Sequence, residues 1–451
     1  MVYKMHYRRK LVFLSLKERR QTYFLLFSGI FIGAGIGFIG SAFNLTIIYA
    51  KHLRLEFINI FSNNSVILQW FTPIIFTVIT LIAALFLVRK FAPETAGSGI
   101  QEIEGSLCNV RKLRWHRVLP IKYIGGVLTL ISGMITGREG PTIHMGGAIG
   151  AMLSDKLKLK PFFAHTLIAA GAGAGLSAAF GAPMAGILFV IEEMKPHFRY
   201  NFASMQCVIA AAVASDIVTK LMMGSGHEIP MHLLASPPVT SLWLFIIFGA
   251  FFGILGFIFN KFLVRLMDYF TNLKSKTYWI NIIILGVIIG AMYKAYPAFI
   301  GSGHDLILSS LNNHIPAIFL FIIFIVRLGG TWVCYGSGIP GGIFAPMLSL
   351  GTVFGMLFGH YAQSIFPNMI ADPTIFAVAG MSALFTATVR APLTGIVLVA
   401  ELTMNYQIIL PLILTCFTAT IVANLLGGKP IYETMLFRTL RLENRQSIKA
   451  S

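Results

Sequence analysis

Three glycine-rich segments of the sequence have the residue types needed to bind an anion. They are Gly-Ser-Gly-Ile at 97–100, Gly-Arg-Glu-Gly-Pro at 137–141, and the stretch 338–346, which ends in Ala-Pro. Each is followed by apolar residues and predicts a turn that opens a helix, because proline fits the first helical turn and glycine leaves backbone N–H groups uncovered. A helix N-terminus carries unsatisfied N–H donors and about half a positive charge. Several such ends meeting at mid-membrane would bind an anion without a full cationic side chain nearby. The alternative is that these glycines only permit close helix packing.

Glu139 lies inside the second of these segments, in an otherwise apolar stretch. An ionisable residue within a membrane is by default a functional hypothesis. A carboxylate among N–H donors is itself an anion, so it would compete with a bound halide and leave when protonated. This property would link proton binding to anion movement. The alternative is that Glu139 pairs with Arg138.

Two adjacent glutamates, Glu192 and Glu193, end a long apolar stretch. One of them would be suited to receive protons from the cytoplasm. In the internal repeat described below, Glu401 occupies the place of Glu192, which predicts a structural role for Glu192 and leaves Glu193 as the extra residue. The alternative is that both are helix-end carboxylates paired with Lys195 or Arg199.

Two Gly-Ser-Gly-His segments, at 224–227 and 301–304, superficially resemble the nucleophile turns of serine hydrolases. Neither lies between a strand and a helix, so the case for an enzyme is weak. The histidines His144, His227 and His304 do not have the spacing of a metal site, and the four cysteines form no C-x-x-C pair. We therefore expect no metal and no cofactor.

The composition predicts the elements that must position these residues. Of the 451 residues, 56% are hydrophobic and 12% are charged, whereas a soluble domain has about 25% charged residues. Apolar stretches such as 23–50, 66–88 and 242–262 are long enough to cross a bilayer core, which takes roughly 20 helical residues. The sequence therefore predicts an all-α polytopic membrane protein.

The net charge of +18 would suggest a nucleic-acid partner in a soluble protein, but the positions of the basic residues indicate otherwise. Basic residues precede the first apolar stretch and follow the last, so the positive-inside rule predicts that both termini are cytoplasmic. A second basic cluster runs from Arg111 to Lys122, and we expect it at the cytoplasmic lipid headgroups. No nucleic-acid partner is predicted.

An internal repeat relates the two halves of the chain. The proline of 137–141 is followed by glycines five and nine residues later, and so is the proline of Gly-Ile-Phe-Ala-Pro at 342–346. The pattern Ala-Pro-x-x-Gly-Ile occurs at 182–187 and 391–396, each time with a glutamate five residues further on. Two similar halves with interrupted apolar segments predict a transporter whose site lies between the repeats. The spacing does not distinguish parallel from inverted repeats.

At these residues the sequence resembles the CLC family of chloride channels and chloride/proton exchangers, particularly its bacterial exchangers. The motifs are 97–100 with Glu102 and Glu104, 137–141, 185–194, 342–346, and Gly-Gly-Lys-Pro-Ile-Tyr at 427–432. The resemblance covers nearly the whole chain. It implies a helical fold of two inverted-topology repeats with broken and re-entrant helices, and a homodimer with one separate anion pathway per subunit.

The resemblance also implies roles for individual residues. It assigns as chloride ligands the hydroxyl groups of Ser98 and Tyr432 and the backbone N–H groups of Ile343 and Phe344. It assigns Glu139 as the gating glutamate and Glu193 as the internal proton-transfer glutamate.

The loop that carries Ser98 both follows and departs from the family pattern. Serine at this position is similar to the chloride-selective members of the family, whereas the nitrate-selective ones have proline. The departure is Gln101, where the family usually has proline. We expect it to loosen the turn behind Ser98 and to leave the ligand in place.

We therefore predict a proton-coupled chloride transporter, an H⁺/Cl⁻ antiporter in the inner membrane of a bacterium. The alternative is a passive voltage- or pH-gated chloride channel of the same fold, and a membrane-embedded hydrolase is a distant one. Channels of the family tend to have a non-ionisable residue at the position of Glu193, so its presence favours exchange.

The predicted organisation has three parts and no regulatory soluble domain. Residues 1–22 form a basic cytoplasmic segment, 23–432 the transmembrane domain, and 433–451 a cytoplasmic tail. The repeat halves are expected at roughly 66–223 and 239–432.

Overall fold

The computed structural model describes residues 2–62, 65–194, 200–226, 228–313 and 315–450. Within these ranges the secondary structure is helical, and the single β-bridge lies outside any strand. The α-helices are α1 (Val2–Ser62), α2 (Val66–Phe91), α3 (Ile100–Leu107), α4 (Trp115–Ile131), α5 (Glu139–Lys156), α6 (Pro161–Phe180), α7 (Pro183–Glu193), α8 (Phe202–Met223), α9 (Leu242–Asn272), α10 (Ser275–Ala295), α11 (His304–Asn312), α12 (Ala317–Gly336), α13 (Phe344–Ile365), α14 (Thr374–Val389), α15 (Pro392–Thr403), α16 (Ile409–Leu425) and α17 (Ile431–Ala450).

Eight helices of the described chain are long and apolar enough to cross a membrane: α1, α2, α6, α8, α9, α10, α12 and α16. Other helices are much shorter: α3 has 8 residues, α7 has 11 and α11 has 9. A full crossing takes roughly 20 residues, so none of these short helices crosses a bilayer on its own. The predicted all-α polytopic fold with interrupted helices is confirmed.

The terminal helices run through the predicted domain boundaries. Residues 2–22 of the predicted basic segment are the first part of α1, which continues to Ser62. Helix α17 begins at Ile431, so Tyr432 and the predicted tail belong to one helix. Lysine, arginine and glutamate are good helix formers, and neither helix contains a proline or glycine at the predicted boundary.

Helices α7 and α15 hold each other through reciprocal caps. The carboxylate of Glu192, near the end of α7, accepts the backbone N–H of Thr394 in the first turn of α15 at 2.7 Å. The carboxylate of Glu401, near the end of α15, accepts the backbone N–H of Ala185 in the first turn of α7 at 2.8 Å. Each helix therefore ends where the other begins, and the two are antiparallel. Because they are equivalent elements of the two halves, the repeats have inverted topology.

A second contact joins the halves just before α5 and α13. Gly137 and Gly342 exchange two backbone hydrogen bonds of 2.8 Å in an antiparallel bridge. The turns that open the two equivalent helices therefore lie side by side.

Other glycines of the repeat serve close helix packing. Gly146 of α5 packs against the backbone of Gly171 in α6, and Gly351 of α13 packs in the same way against Gly380 in α14. A side chain at any of these positions would overlap the facing backbone. These glycines, which lie outside the three glycine-rich segments, therefore permit close helix packing in both halves.

Candidate anion and proton site

The turns that open α3, α5 and α13 touch one another in the protein interior. The N–H of Gly341 donates to the carbonyl of Gly97 at 3.1 Å. A Cβ atom on Gly140 would lie 2.8 Å from the Cβ of Ser98 and 3.0 Å from the Cα of Gly342. All three helix N-termini, with their uncovered N–H groups, therefore converge on one buried region.

Glu139 is the first residue of α5 and only 4% of it is exposed. Its Oε2 accepts the backbone N–H of Ala345, in the first turn of α13, at 3.4 Å. Arg138 points elsewhere and donates to Glu228 at 2.8 Å and to Asn44. The alternative pairing of Glu139 with Arg138 is therefore wrong, and the carboxylate lies against backbone donors.

Ser98 is fully buried and is held by Tyr335 of α12. Its N–H donates to the Tyr335 oxygen at 3.1 Å, and the Tyr335 hydroxyl donates to Ser98 Oγ at 3.3 Å. The Ser98 hydroxyl in turn donates to Gln101 Oε1 at 3.3 Å. Tyr335 was not singled out by the sequence, where it is one aromatic residue among many.

The start of α13 faces the start of α17. Ile343 and Phe344 are fully buried, and Ile343 is the residue that precedes the first turn of α13. Tyr432 is fully buried as well, with its ring centroid 6.4 Å from that of Phe344. Its hydroxyl is buried and has no hydrogen-bond partner among the described residues. Such a donor suits an anion that arrives without its water shell.

Glu193, the last residue of α7, is half-buried and its carboxyl group lies beside that of Glu104 in α3, whose Oε2 is buried without a hydrogen-bond partner among the described residues. Two carboxylates that share one buried place repel each other, which favours a proton on one of them. Glu192 is used as the cap of α15, as the repeat alignment predicts. The predicted alternative partners, Lys195 and Arg199, lie outside the described residues.

Lys122 corrects two predictions. It is fully buried, and its ammonium group donates to the carbonyls of Thr95 at 2.8 Å and Gly97 at 2.5 Å. It therefore does not lie at the lipid headgroups, because the loop before α3 supplies the hydrogen bonds that a buried ammonium needs. The side chain of a basic residue is thus bonded to the residue preceding Ser98, whereas the expected site had no such side chain nearby. The signal was present in the sequence, since Lys122 lies within the apolar part of α4.

The segment 301–304 is the repeat counterpart of the Ser98 loop. Arg327 of α12 is fully buried and donates to the carbonyl of Gly301 at 3.0 Å, as Lys122 does in the first half. Gly99 and Gly303 precede their helices with φ of 86° and 93°, a left-handed conformation that favours glycine. The segment is therefore a second helix-opening turn and not a hydrolase turn.

The histidines of the sequence analysis are apart from one another. His144 is fully buried, with its ring against Gly99, and His304 begins α11. His227 lies outside the described residues. In the part of the chain that is described, no three histidine, cysteine or acidic side chains are grouped as metal ligands would be.

Two cavities of about 580 Å³ approach the site. The Gly97 cavity is lined by Gly97, Gln101, Glu102, Arg111 and Tyr335, among others. The Glu139 cavity is lined by Arg138, Glu139, Glu228, His304 and Ala345, among others. Between them Ser98, Phe344 and Tyr432 are fully buried. The buried helix ends therefore separate two water-accessible spaces.

Comparison with known proteins identifies the family. The model of the family described as "Voltage gated chloride channel" matches residues 79–424. The H(+)/Cl(-) exchange transporter ClcA of Vibrio parahaemolyticus is 46% identical over 414 residues, which is 91% of this chain and 88% of that protein. ClcA of Salmonella typhimurium is 44% identical, over 94% of this chain and 90% of that protein.

Solved structures show the same architecture. A slow cyanobacterial Cl⁻/H⁺ antiporter is 39% identical, with a TM-score of 0.89 over 93% of this chain and 99% of that chain. A eukaryotic CLC transporter is 22% identical, with a TM-score of 0.77 over 92% of this chain and 74% of that chain, and shares the fold. The chain therefore belongs to the voltage-gated chloride channel family, the CLC family.

Proposed function

We propose that this protein exchanges chloride for protons across the membrane. The observation that carries the proposal is the contact of Glu139 with the N–H of Ala345 at 3.4 Å. An ionised carboxylate takes donors that a halide would otherwise use. Protonation removes its charge and weakens the charge-assisted bond, so chloride replaces it. The names of the ClcA relatives and of the cyanobacterial antiporter agree with an exchange of chloride for protons.

The chloride ligands in this proposal are Ser98, Tyr432 and the backbone N–H groups of Ile343 and Phe344. Support comes from their burial and from the unpartnered Tyr432 hydroxyl. The helix N-termini supply positive potential without a direct ion pair, so the anion is bound but not trapped.

Protons enter, in this proposal, through Glu193. Glu193 and Glu104 lie side by side, and two neighbouring carboxylates repel each other unless one is protonated, so the pair stores a proton beside the site. It passes the proton towards Glu139, which releases it into the Glu139 cavity when the carboxylate ionises.

The proposed setting is the inner membrane of a bacterium, with both termini cytoplasmic and the protein a homodimer. Support for the orientation comes from the basic residues that line the Gly97 cavity, including Arg111, Lys112 and Arg438. All proposed site residues come from one chain, so each subunit has its own pathway.

The proposal is tested with purified protein in liposomes. A chloride gradient is imposed, a potassium ionophore clamps the voltage, and the external pH is recorded. We expect chloride movement to drive protons in the opposite direction, and a reversal potential that depends on both gradients. Chloride flux with no proton movement would indicate the passive channel instead.

Variants of Tyr432 test its two proposed roles. Tyr432→Phe keeps the ring and loses the O–H donor, so chloride binding should weaken about tenfold, the value of one charge-assisted hydrogen bond, with coupling mostly intact. Tyr432→Ala also removes the ring that packs near Phe344, so chloride should slip through and the chloride-to-proton flux ratio should rise. Calorimetry and paired flux measurements report the two effects. A parental ratio and parental affinity in the alanine variant would remove Tyr432 from the site.

A further inference from the structure

A chain of three hydrogen-bonding groups ends at Gln101. The Tyr335 hydroxyl donates to Ser98 Oγ, and the Ser98 hydroxyl donates to Gln101 Oε1, both at 3.3 Å. The N–H of Ile100 also approaches Ser98 Oγ, at 3.5 Å. The Ser98 oxygen is thus surrounded by donors, and its own proton is directed at the amide of Gln101.

In this arrangement Gln101 and the anion compete for the hydroxyl proton of Ser98. A serine hydroxyl has one proton to donate, and the proposed chloride site uses that proton. Chloride can receive it only when Ser98 turns away from Gln101. The amide oxygen then loses its partner, and only 7% of Gln101 is exposed to water from the Gly97 cavity. Leaving a buried acceptor unpaired is unfavourable, so chloride binding is weakened.

Gln101 lies close enough to Ser98 in the chain for this competition to take place within one loop. It is the second residue of α3, three residues after Ser98, and lines the Gly97 cavity. The proline that the family usually has there offers no side-chain acceptor. Resting on the proposed exchange, we infer that Gln101 sets the chloride affinity of this protein, by holding the Ser98 hydroxyl proton whenever chloride is absent.

The first test compares chloride binding by the purified parent and by Gln101→Met. Methionine has a similar length and helix propensity but no amide oxygen. Titration calorimetry should show binding tighter by about threefold to tenfold, the range that one neutral hydrogen bond covers. Gln101→Pro, which places the residue usual in the family at this site, should change affinity in the same direction. Unchanged unfolding temperatures would show that both variants keep the fold.

The second test repeats the comparison without the hydroxyl. In a Ser98→Ala background, Gln101→Met should have no effect on chloride affinity, because no hydroxyl proton remains for which Gln101 and chloride could compete. A gain that persists in this background, or an unchanged affinity in the single variant, would overturn the inference. Weaker binding in Gln101→Met would also overturn it, because the amide would then be a donor to chloride. Failure of the proposed function is seen separately, as absence of chloride binding and of exchange in the parent.

Discussion

Replacing Glu139 with glutamine is expected to abolish proton transport while chloride transport continues. Glutamine has nearly the same shape but cannot ionise, so it imitates the protonated side chain permanently. It therefore no longer competes as an anion for the N–H of Ala345, and it cannot carry a proton. Chloride flux and pH change measured on the same liposomes should give a proton signal at the level of empty vesicles.

Glu228 provides the matched control. It lines the same cavity as Glu139 but pairs with Arg138 at 2.8 Å. Glu228→Gln removes a carboxylate from that cavity without touching the converging helix ends, so the coupling ratio should stay at the parental value. Proton pumping by the Glu139→Gln protein under a chloride gradient would refute the gating role.

Replacing Glu193 with glutamine is expected to have an equally large effect on proton transport. The carboxyl groups of Glu193 and Glu104 lie beside each other, so their mutual repulsion favours a proton on one of them. An amide at 193 cannot accept and release that proton, whereas the chloride ligands are unchanged. The same liposome assay should show chloride flux with proton movement at background.

The neighbouring Glu192 is the control for this variant. It accepts the N–H of Leu393 at 3.0 Å and that of Thr394 at 2.7 Å. Glu192→Gln weakens a helix cap, which lowers stability by about 1–2 kcal/mol, and should leave the coupling ratio unchanged. Proton movement driven by chloride in the Glu193→Gln protein would contradict the role assigned to Glu193. Loss of that proton movement in a stable Glu192→Gln protein would contradict the role assigned to Glu192.

Much of the fold could be predicted from the spacing of residues, because membrane-spanning helices and internal repeats produce regular patterns in the sequence. The matching glycine positions predicted the equivalence of α5 and α13, and the position of Glu401 separated Glu192 from Glu193. The spacing could not indicate that the second repeat is inverted, because the sequence pattern of a repeat is the same whichever way it crosses the membrane. The inversion became visible only in the reciprocal caps.

Within the site, residues that act through long-range contacts were the ones missed. Tyr335 holds Ser98 from 237 positions away, and nothing near it in sequence indicates that partner. We assigned Lys122 to the surface because basic residues precede it, although the apolar residues on either side of it in the sequence indicate a buried position. The 301–304 turn was compared with hydrolases, although its offset from the Ser98 loop is nearly that of the other repeat blocks.

The reciprocal caps of α7 and α15 also affect how the protein is made. The carboxylate that satisfies the first turn of α7 comes from a residue 216 positions later than Ala185. While the ribosome synthesises the second half, the N-terminal N–H groups of α7 remain without the partner that they have in the finished protein. The first half is therefore unfinished as an independent unit, and its completion waits for the second half to insert with the opposite orientation.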